Sequence, residues 1–552
     1  MKIIVPLAGA GRRFRKAGFT GPKPLIAVDG RPMARHVVDL FPGEKDFLFV
    51  ANSEDAEGSG LLEVLAEAAP ASRTAVIPPH REGPVFSVSR VFDQIPDDDE
   101  VIVNYCDFSK AWDYAGFLRH TRSRKADGAL SAYRGFHPHM LWDPNYAFLR
   151  SERQWLSEIR EKRAFTDRRM GEFASDGTYY FRTGSLMKTY FSRLMERGIR
   201  TEGEYYVSMA YNLMVEDGLK VSVYAIEQML QWGTPSDLLE YQGWSDYFRA
   251  VVESGRPAGG PSRKASAPDR GILLMAMAGE GRRFSAAGLA AAKPLVQVNG
   301  TPMFVQALRC LPRAEKEVLV ASRSTLEAGG RKALRRERPE AEVVELSRTT
   351  GGQALSCRSG LSGADPEARL LIAPCDAGAV WDRAAYGRLL ADPGVDVAVW
   401  TVTGHAPAAR KPGMFGWVKA GPAGRVTAVG VKEPVSSNPM ADRVILGIFT
   451  FKKVRHFHET LKALESGPTP ACGEYHVDGC VAEAVRMGLG VYAFDVRAAA
   501  CWGTPEELAT YLYWQKFFHR CARHPYDLAA HPGLEDPKAL EASFEGFKQE
   551  FK

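Results

Sequence analysis

The feature that most constrains the fold is an internal repeat: the chain carries one order of motifs twice. Gly11 and Gly281 stand 270 positions apart, and so do Lys23 and Lys293. The late segments QWGTP and CWGTP repeat at the same offset. Motifs that return in one order at a near-constant offset indicate two homologous domains rather than a solenoid of short repeats.

The boundary between the copies is expected in the stretch SGRPAGGPSRKASAPDRG, whose Gly, Pro, Ser and Lys content is typical of an exposed linker. We predict a first domain over residues 1–255, a linker over 256–269 and a second domain over 270–552. The residues from Pro525 onward have no counterpart in the first copy. They are predicted to form a short helical extension of the second domain.

Within each copy, short apolar runs alternate with helical patterns. KIIVPLA, DFLFVAN and EVIVNY are such runs, and stretches such as MARHVVDLF and GLLEVLAEAA lie between them. Continuous apolar strands that alternate with helices predict an α/β fold with a mostly parallel sheet and helices on both faces. Ligands of such sheets bind outside the carboxyl ends of the strands.

Composition narrows the class of partner and the compartment. A net charge of +5 is small for 552 residues and gives no indication of a nucleic-acid partner. The eight cysteines lack zinc-site spacing, which favours reduced thiols in a cytoplasmic protein. Neither a signal-peptide pattern nor a run of eighteen apolar residues is present, so we predict no membrane insertion.

The loop LAGAGRRF follows the first apolar run and predicts a phosphate site. Glycines let backbone N–H groups approach phosphate oxygens closely, and the next helix N-terminus adds partial positive charge. Arg12, Arg13 and Lys23 add full charges. The spacing is not that of a Walker A loop, which requires Gly-Lys followed by Ser or Thr. Because the second copy keeps the same residues, a purely structural turn is the weaker interpretation.

One aspartate ends an apolar strand in each copy, Asp107 in YCD and Asp376 in PCD. Carboxylate oxygens in that place suit Mg²⁺ that bridges triphosphate oxygens. A strand-end cap is the alternative for a lone aspartate. The repeat, and the expected closeness of the glycine loop, favour the metal role.

The set of motifs resembles that of the sugar-phosphate nucleotidyltransferases, or NDP-sugar pyrophosphorylases. The set consists of Gly-x-Gly-Arg-Arg-Phe, Lys-Pro-Leu, the strand-end Asp, a Glu-Lys or Lys-Glu pair and Trp-Gly-Thr-Pro. The resemblance covers nearly all of both halves. It implies two tandem Rossmann-like, GT-A-like domains, with Mg²⁺ as cofactor. The implied reaction transfers NMP from an NTP to a sugar 1-phosphate and releases pyrophosphate, for surface or capsule polysaccharide synthesis.

The resemblance also assigns a role to individual residues in both copies. The triphosphate would be held by Leu7, Ala8, Gly9, Gly11, Arg12, Met277, Ala278, Gly279, Gly281 and Arg282. The loops that approach the base would contribute Gly83, Gly352 and Gln353. Charge at the reacting phosphate would be stabilised by Arg13, Lys23, Arg283 and Lys293. The acceptor would contact Glu161, Lys162, Glu204, Gly416, Lys432, Glu433 and Glu474, and Mg²⁺ would bind Asp107 and Asp376.

The chain departs from that family at one expected metal ligand. Many members carry a second aspartate two residues before the glycine of the late Gly-Thr motif. Gln231 and Cys501 stand there in this chain, and neither is a good Mg²⁺ ligand. Either one protein carboxylate suffices, or another acid supplies the second contact. The candidates are Glu204, Glu474 and Asp478, with ordinary surface or capping roles as the competing interpretation.

Several functional alternatives remain open at this point. The acceptor segments GFHPHMLWDPNYAF and GHAPAARKPGMFGW differ, so two non-identical sites are predicted, or one catalytic copy and one structural or regulatory copy. The nucleotide is CTP, UTP, dTTP or GTP, and cytidylyl transfer to a non-sugar phosphate such as phosphocholine is the closest competing reaction. A GT-A glycosyltransferase is disfavoured, because the YCD and PCD segments lack the first aspartate of the Asp-x-Asp motif. A non-catalytic binding protein is a further alternative. Assembly into a homo-oligomer is left open.

Overall fold

A computed structural model of the chain describes residues 1–255, 269–468 and 473–546. The described residues divide into two compact units, Met1–Gln242 and Gly243–Gly546. Residues 256–268 of the predicted linker, and the last six residues of the chain, lie outside the described residues. Each unit has the predicted α/β fold, as described below for each by itself.

The first unit alternates strands and helices along most of its length. Its strands are β1 (Lys2–Pro6), β2 (Ala27–Val28), β3 (Arg31–Pro32), β4 (Phe47–Asn52), β5 (Arg73–Ile77), β6 (Val101–Asn104), β7 (Phe108–Ala111), β8 (Gly128–Tyr133), β9 (Ala147–Glu152), β10 (Trp155–Glu161), β11 (Phe173–Phe181), β12 (Val221–Ala225) and β13 (Gln228–Gln231). Its helices are α1 (Arg12–Lys16), α2 (Met33–Asp39), α3 (Ser53–Ala56), α4 (Leu61–Ala68), α5 (Pro84–Ser89), α6 (Tyr114–Ser123), α7 (Gly184–Glu196), α8 (Val207–Glu216) and the start of α9 (Pro235–Gly255).

The main sheet of the first unit has the strand order β5-β4-β1-β6-β11-β8-β12-β10-β9. β4, β1 and β6 are parallel, so the segments that follow β1 and β6 leave the same edge of the sheet. β11 runs antiparallel between β6 and β8, which makes the sheet mixed. The glycine loop and the YCD segment therefore meet at one edge, as the α/β prediction requires.

Both faces of this sheet are buried, which explains why its central strands are apolar without alternation. Ile4 packs in a cluster with Leu48 and Val103 on one face. Its neighbour Ile3 packs with Phe49 in a separate cluster on the other face. Because successive side chains of a strand point to opposite faces, a strand covered by helices on both sides needs apolar residues throughout.

The second unit repeats this sequence of elements. Its strands are β14 (Asp269–Met277), β15 (Gln297–Val298), β16 (Thr301–Pro302), β17 (Ala314–Ser322), β18 (Glu342–Leu346), β19 (Leu370–Pro374), β20 (Ala377–Val380), β21 (Val397–Val402), β22 (Gly416–Ala420), β23 (Val426–Val431), β24 (Arg443–Phe451), β25 (Val491–Asp495) and β26 (Ala498–Cys501). Its helices are α10 (Arg282–Ala286), α11 (Met303–Arg309), α12 (Arg323–Thr325), α13 (Arg331–Glu337), α14 (Gln353–Gly360), α15 (Arg383–Ala391), α16 (Ala406–Arg410), α17 (Val454–Ser466), α18 (Val477–Arg486), α19 (Pro505–Arg520) and α20 (Pro537–Gly546).

The sheet of the second unit has the order β18-β17-β14-β19-β24-β21-β25, with β22 beside β24. β17, β14 and β19 are parallel and β24 is antiparallel, so the strand order of the first unit returns. The second unit also includes the end of α9 from Gly243, where Phe248 packs 5.7 Å from the rings of Tyr511 and Phe518. Among the described residues, no helix is both long and apolar enough to cross a bilayer.

Candidate functional sites

The glycine loop of each unit turns sharply into a short helix. Gly11 and Gly281 have φ angles of 59° and 64°, a left-handed conformation that favours glycine. A Cβ atom on Gly281 would also lie 2.9 Å from Cβ of Lys293, so the glycine lets the lysine segment approach the loop. Arg12 and Arg13 follow the turn with exposed side chains, and each loop thus presents backbone N–H groups and two cations to its cleft.

The lysine of each Lys-Pro-Leu segment pairs with the aspartate that ends a strand. In the first unit Lys23 Nζ lies 2.7 Å from Asp107 Oδ2 and 3.3 Å from the carbonyl oxygen of Gly233. In the second unit Lys293 donates to Asp376 in the same way. Burial by itself would lower the pKa of Lys293, but the neighbouring Asp376 carboxylate outweighs it and raises that pKa. Lys293 is therefore held in its charged form.

The late Trp-Gly-Thr-Pro motif packs against the same aspartate. The N–H of Trp232 donates to the carbonyl of Asp107 at 2.9 Å, and the equivalent bond in the second unit is 2.7 Å. A Cβ atom on Gly233 would lie 3.1 Å from Asp107 Oδ2, and one on Gly503 would lie 2.9 Å from Asp376 Oδ2. The late motif thus passes close to the carboxylate, and three distant motifs meet at one point.

Sequence reasoning missed one acid at this point, Glu507. A Cβ atom on Gly503 would lie 3.2 Å from Glu507 Oε2 as well as beside Asp376, so the two carboxylates flank the same backbone. Burial and then the charge of Asp376 raise the pKa of Glu507. Its counterpart Asp237 accepts a hydrogen bond from the Thr234 hydroxyl at 2.6 Å. The sequence does contain a pattern at this point, Thr-x-x-Glu from Thr504 to Glu507, but that spacing is also typical of an ordinary helix cap.

The donor sets near the two strand-end aspartates fit a divalent cation unequally. The second cleft offers the Asp376 and Glu507 carboxylates, whereas the first offers Asp107 and the Gln231 amide. The Cys501 thiol, which stands in place of the expected second aspartate, has a pKa raised by burial and by Glu507, so it stays protonated. Within the described ranges no three His, Cys, Asp or Glu side chains group as a metal site.

The loops predicted to approach the base have the same backbone in both units. Val85 N donates to the Tyr205 carbonyl at 3.1 Å, and Ala354 N donates to the Tyr475 carbonyl at 2.9 Å. Gly83 and Gly352 allow this approach, since a Cβ atom would lie 2.8 Å from Tyr205 N and 2.4 Å from Tyr475 N respectively. The residues that follow the two glycines differ, Pro84 against Gln353, so the two loops present different groups to a base.

The first cleft has a carboxylate and three tyrosine rings away from the glycine loop. Glu161 ends β10, and its carboxylate accepts from the Ser208 hydroxyl at 2.5 Å. Burial raises the pKa of Glu161 to about 7. Tyr105, Tyr179 and Tyr206 line the same part of the cleft, with the first two rings 5.6 Å apart. Sequence reasoning found Glu161 but not the tyrosines, which come from three separate elements.

The corresponding part of the second cleft is built from other residues. Gly416, Asp478 and His476 line it, and Lys432 and Glu433 are exposed on the turn that follows β23. Burial raises the pKa of Asp478, with His476 and Lys432 acting against that rise. Of the predicted acceptor residues in this unit, Gly416 and Glu474 lie in the lining of the cleft. Lys432 lies outside the lining, and its charge acts to lower the pKa of Asp478.

Nearly all of the predicted site residues lie along the two clefts. The first cleft, of about 610 Å³, is lined by Leu7, Ala8, Gly9, Gly11, Arg12, Arg13, Lys23, Gly83, Asp107, Glu161, Lys162 and Glu204. The second, of about 760 Å³, is lined by Met277, Ala278, Gly279, Gly281, Arg282, Arg283, Lys293, Gly352, Gln353, Asp376, Gly416 and Glu474. Each cleft thus brings together segments spread over about 200 residues of its unit.

His137 and His139, in the acceptor segment GFHPHMLWDPNYAF of the first copy, have structural contacts. Both side chains are buried. The His139 ring nitrogen Nε2 lies 2.8 Å from the Tyr133 hydroxyl, and Met229 N donates to His137 Nε2 at 3.3 Å. The pair therefore fixes the loop between β8 and β9 rather than lining the cleft.

Comparison with known proteins identifies the family. The MobA-like NTP transferase domain matches the chain twice, over residues 3–172 and 272–441. The chain belongs to the MobA-like NTP transferase family. It is a nucleotidyltransferase with two such domains, and the tandem nucleotidyltransferase predicted from the motifs is confirmed. A search of curated proteins found no match.

Solved structures similar to the chain cover one half of it at a time. A nucleoside-diphosphate-sugar pyrophosphorylase from Vibrio cholerae RC9 is 20% identical, covers 44% of this chain and 99% of its own, and has a TM-score of 0.35. The inositol-1-phosphate CTP transferase from T. maritima is 15% identical, with 44% and 96% coverage and a TM-score of 0.34. UDP-glucose pyrophosphorylase from Acinetobacter baumannii is 19% identical, with 47% and 94% coverage and a TM-score of 0.34.

Proposed function

We propose that each unit transfers a nucleotidyl group from an NTP to a sugar 1-phosphate, forming an NDP-sugar and pyrophosphate. The observation that carries this proposal is the meeting of glycine loop, lysine and strand-end aspartate in both clefts. We further propose that the enzyme works in the cytoplasm and supplies surface polysaccharide synthesis. The different acceptor ends support two non-identical sites.

In the proposed mechanism, an oxygen of the acceptor phosphate attacks the α-phosphorus of the NTP. A new O–P bond forms while the bond from the α-phosphorus to the bridging oxygen breaks, and pyrophosphate leaves with the electron pair. The attacking oxygen is already anionic, so no strong general base is needed. Positioning and cationic side chains then carry the rate increase.

The cations of each cleft have separate tasks in this scheme. The glycine loop, with Arg12 in the first unit and Arg282 in the second, would hold the triphosphate. Lys23 and Lys293 would stabilise charge at the α-phosphate. Their contact with Asp107 and Asp376 keeps each lysine at the mouth of the loop before the nucleotide binds.

Mg²⁺ is part of the proposal, and the carboxylates beside the two lysines support it. Asp376 and Glu507 would hold the ion in the second unit, and Asp107 would hold it in the first. When bound, the ion would neutralise charge on the triphosphate oxygens. The aspartates would thereby share their negative charge between the ion and the lysine.

A second candidate reaction is favoured by the first cleft alone. There Glu161 lies among Tyr105, Tyr179 and Tyr206, a combination that suits a positively charged group. Lys162 Nζ already lies over the Tyr206 ring, 5.1 Å from its centroid. Cytidylyl transfer to a phosphorylated ammonium compound such as phosphocholine therefore remains the alternative for this unit.

The test is pyrophosphate release by the full chain with CTP, UTP, dTTP or GTP and a panel of acceptors. The panel contains glucose 1-phosphate, mannose 1-phosphate and phosphocholine. Lys23→Ala and Lys293→Ala would each remove turnover of the acceptor used by its own unit. Unchanged turnover in both variants and in the double variant would contradict the catalytic proposal.

A further inference from the structure

The acceptor ends of the two clefts can be aligned through strand register. In the first unit Ala147 pairs with Glu161, and in the second Gly416 pairs with Val431. Val431 therefore occupies the register position of Glu161. Lys162 and Lys432, the next residues along, share the same left-handed backbone, with φ angles of 55° and 59°.

A neighbouring helix contacts this strand pair in each unit and can be aligned in the same way. α8 begins at Val207 and α18 begins at Val477, so Ser208 and Asp478 are the second residues of equivalent helices. In the first unit the strand supplies the carboxylate and the helix a hydroxyl, and the two are joined at 2.5 Å. In the second unit the strand supplies an aliphatic side chain and the helix supplies the carboxylate.

A third position changes together with these two. A Cβ atom on Gly416 would lie 2.9 Å from Asp478 Oδ2, so glycine leaves the space into which that carboxylate projects. Ala147 stands at the equivalent place in the first unit, where the carboxylate comes from the paired strand instead. Glu161, Ser208 and Ala147 thus form one matched set, and Val431, Asp478 and Gly416 form the other.

The carboxylate of each set lines its cleft, and a lysine interacts electrostatically with each of them. The charge of Lys162 acts to lower the pKa of Glu161, and Lys162 Nζ itself pairs with Glu202 at 2.5 Å. His476 and Lys432 act on Asp478, and the Gly479 N–H donates to its Oδ1 at 3.1 Å. A carboxylate that lines a pocket with its charge incompletely balanced is ready to accept hydrogen bonds from a ligand.

We propose that Asp478 is the acceptor-binding carboxylate of the second unit, replacing Glu161 from the neighbouring helix instead of the strand. This inference rests on the proposed function and names a binding residue for it. The ligand group is a hydrogen-bond donor of the phosphorylated acceptor, either a sugar hydroxyl or an ammonium group. Because the two carboxylates project from different elements, the two units select acceptors whose donor groups are placed differently.

The experiment uses the full chain with one site silenced at a time. Asp478→Asn is made in the Lys23→Ala background and Glu161→Gln in the Lys293→Ala background. Pyrophosphate release is measured with glucose 1-phosphate, mannose 1-phosphate and phosphocholine, using whichever NTP each parent accepts. We expect a rise of about tenfold or more in acceptor KM, with the KM for NTP unchanged within about twofold, as for loss of one charged hydrogen bond.

A carboxylate swap separates binding from a structural role. Asp478→Ser alone is expected to weaken acceptor binding. Adding Val431→Glu to this variant is expected to restore the acceptor KM to within about threefold of its parent and to shift acceptor preference toward that of the first unit. Glu327→Gln, at an exposed acid on another face, is the matched control and leaves all constants unchanged. Thermal unfolding of each variant shows whether it is folded.

The outcomes distinguish the two levels of the proposal. An unchanged acceptor KM in Asp478→Asn, or a change confined to NTP KM, overturns the role of Asp478. Absence of turnover in the Lys23→Ala parent, while the Lys293→Ala parent is active, also overturns it, because the second unit then has no acceptor to bind. Absence of turnover in the wild-type chain with every NTP and acceptor counts against the proposed function instead.

Discussion

Lys23 Nζ lies 2.7 Å from Asp107 Oδ2, and the second unit repeats this contact between Lys293 and Asp376. The lysine follows the glycine loop and the aspartate follows β6 or β19, so the contact joins two segments at the carboxyl edge of each sheet. One member of each pair was predicted to act on phosphate and the other on metal. The contact places the two side chains of each pair at one location.

The first prediction concerns the two lysines. Removing Lys23 or Lys293 leaves the paired aspartate without its cation and the α-phosphate without a stabilising charge. We expect kcat in the affected unit to fall by about 10²–10³-fold, the range seen when one donor to a developing charge is lost. Steady-state pyrophosphate release measures it. Lys16→Ala, at an exposed lysine of α1, serves as the control and should retain full turnover.

The second prediction concerns metal binding and uses Glu507. Glu507→Gln removes one of the two carboxylates that flank Gly503, so Mn²⁺ should bind the second unit about 10-fold more weakly in the presence of NTP. Asp237→Asn should change Mn²⁺ binding little, because Asp237 is absent from the lining of the first cleft, whereas Glu507 lines the second. Electron paramagnetic resonance of free Mn²⁺ measures both. Equal effects of the two substitutions would argue against a metal role for Glu507.

The third prediction concerns a buried ion pair beneath the first cleft. Lys110 Nζ lies 2.9 Å from Asp176 Oδ2, and both side chains have 0% exposure. Burial, opposed by Asp176, lowers the pKa of Lys110 to about 8. Lys110→Met strands the Asp176 charge and should cost about 3–5 kcal/mol of stability. Urea denaturation of the full chain measures the loss.

The second unit supplies the control for this pair. Its sheet register places Ala379 and Leu446 at the positions of Lys110 and Asp176, so the fold accepts apolar residues there. Lys110→Met combined with Asp176→Leu should therefore recover most of the lost stability. If the double variant is no more stable than the single one, the fold also requires the hydrogen bonds that the two charges make with Ser131 and Thr178.

The fourth prediction follows from the pKa of Glu161, which burial raises to about 7. Ser208 and Lys162 oppose that rise, whereas Glu202 and Glu204 add to it. An acid with a raised folded-state pKa is protonated below it, so binding through its charged form strengthens as pH rises through 7. We expect kcat/KM for the acceptor in the first unit to rise between about pH 6 and 8.

Glu161→Gln provides the comparison for that profile. The ionisation of the acceptor phosphate is the same for both proteins, so the ratio of wild-type to variant kcat/KM isolates the glutamate. The ratio should increase with pH and level off above about pH 8. Because the pKa of Glu161 is higher in the folded state than in the unfolded state, the wild-type protein should lose stability relative to Glu161→Gln as pH rises from about 4.5 to 7. A ratio independent of pH would show that the protonation state of Glu161 does not control acceptor binding.

The fifth prediction concerns the loop at Gly352. Its φ of 136° and the 2.4 Å distance from a Cβ position to Tyr475 N leave no room for a side chain. Gly352→Ala should displace the loop and raise the KM for NTP in the second unit by about tenfold or more, an effect of about 1.4 kcal/mol. Gly387→Ala, inside α15 with open space around it, should be neutral or stabilising by about 0.5–1 kcal/mol. Nucleotide titration and thermal unfolding measure both.

The sequence was sufficient for the fold and for the residues that share a fixed spacing. The apolar runs before the glycine loops predicted the parallel strands, and the repeat predicted that Lys23 and Lys293 would have equivalent surroundings. The insertion of β11 antiparallel between β6 and β8 was not predicted, because it depends on pairing between residues far apart in the chain.

The sequence was less informative at the acceptor ends. The exchange of Glu161 and Ser208 for Val431 and Asp478 becomes visible only when strand register and helix starts are known. Asp478 was noticed as an acid but not as the counterpart of Glu161, since the two lie on different elements. Side chains that meet from separate elements leave no periodic signal in one sequence.

Helix α9 begins in one unit and ends in the other, and this affects how the two halves can be studied apart. Phe248 packs on Tyr511 and Phe518, so a fragment of the second half that starts after the glycine-rich segment would expose those rings to water. A fragment starting at Gly243 keeps them covered. Ancestry and autonomy therefore divide this polypeptide at different points: residues 243–255, the end of α9, descend with the first copy but fold with the second.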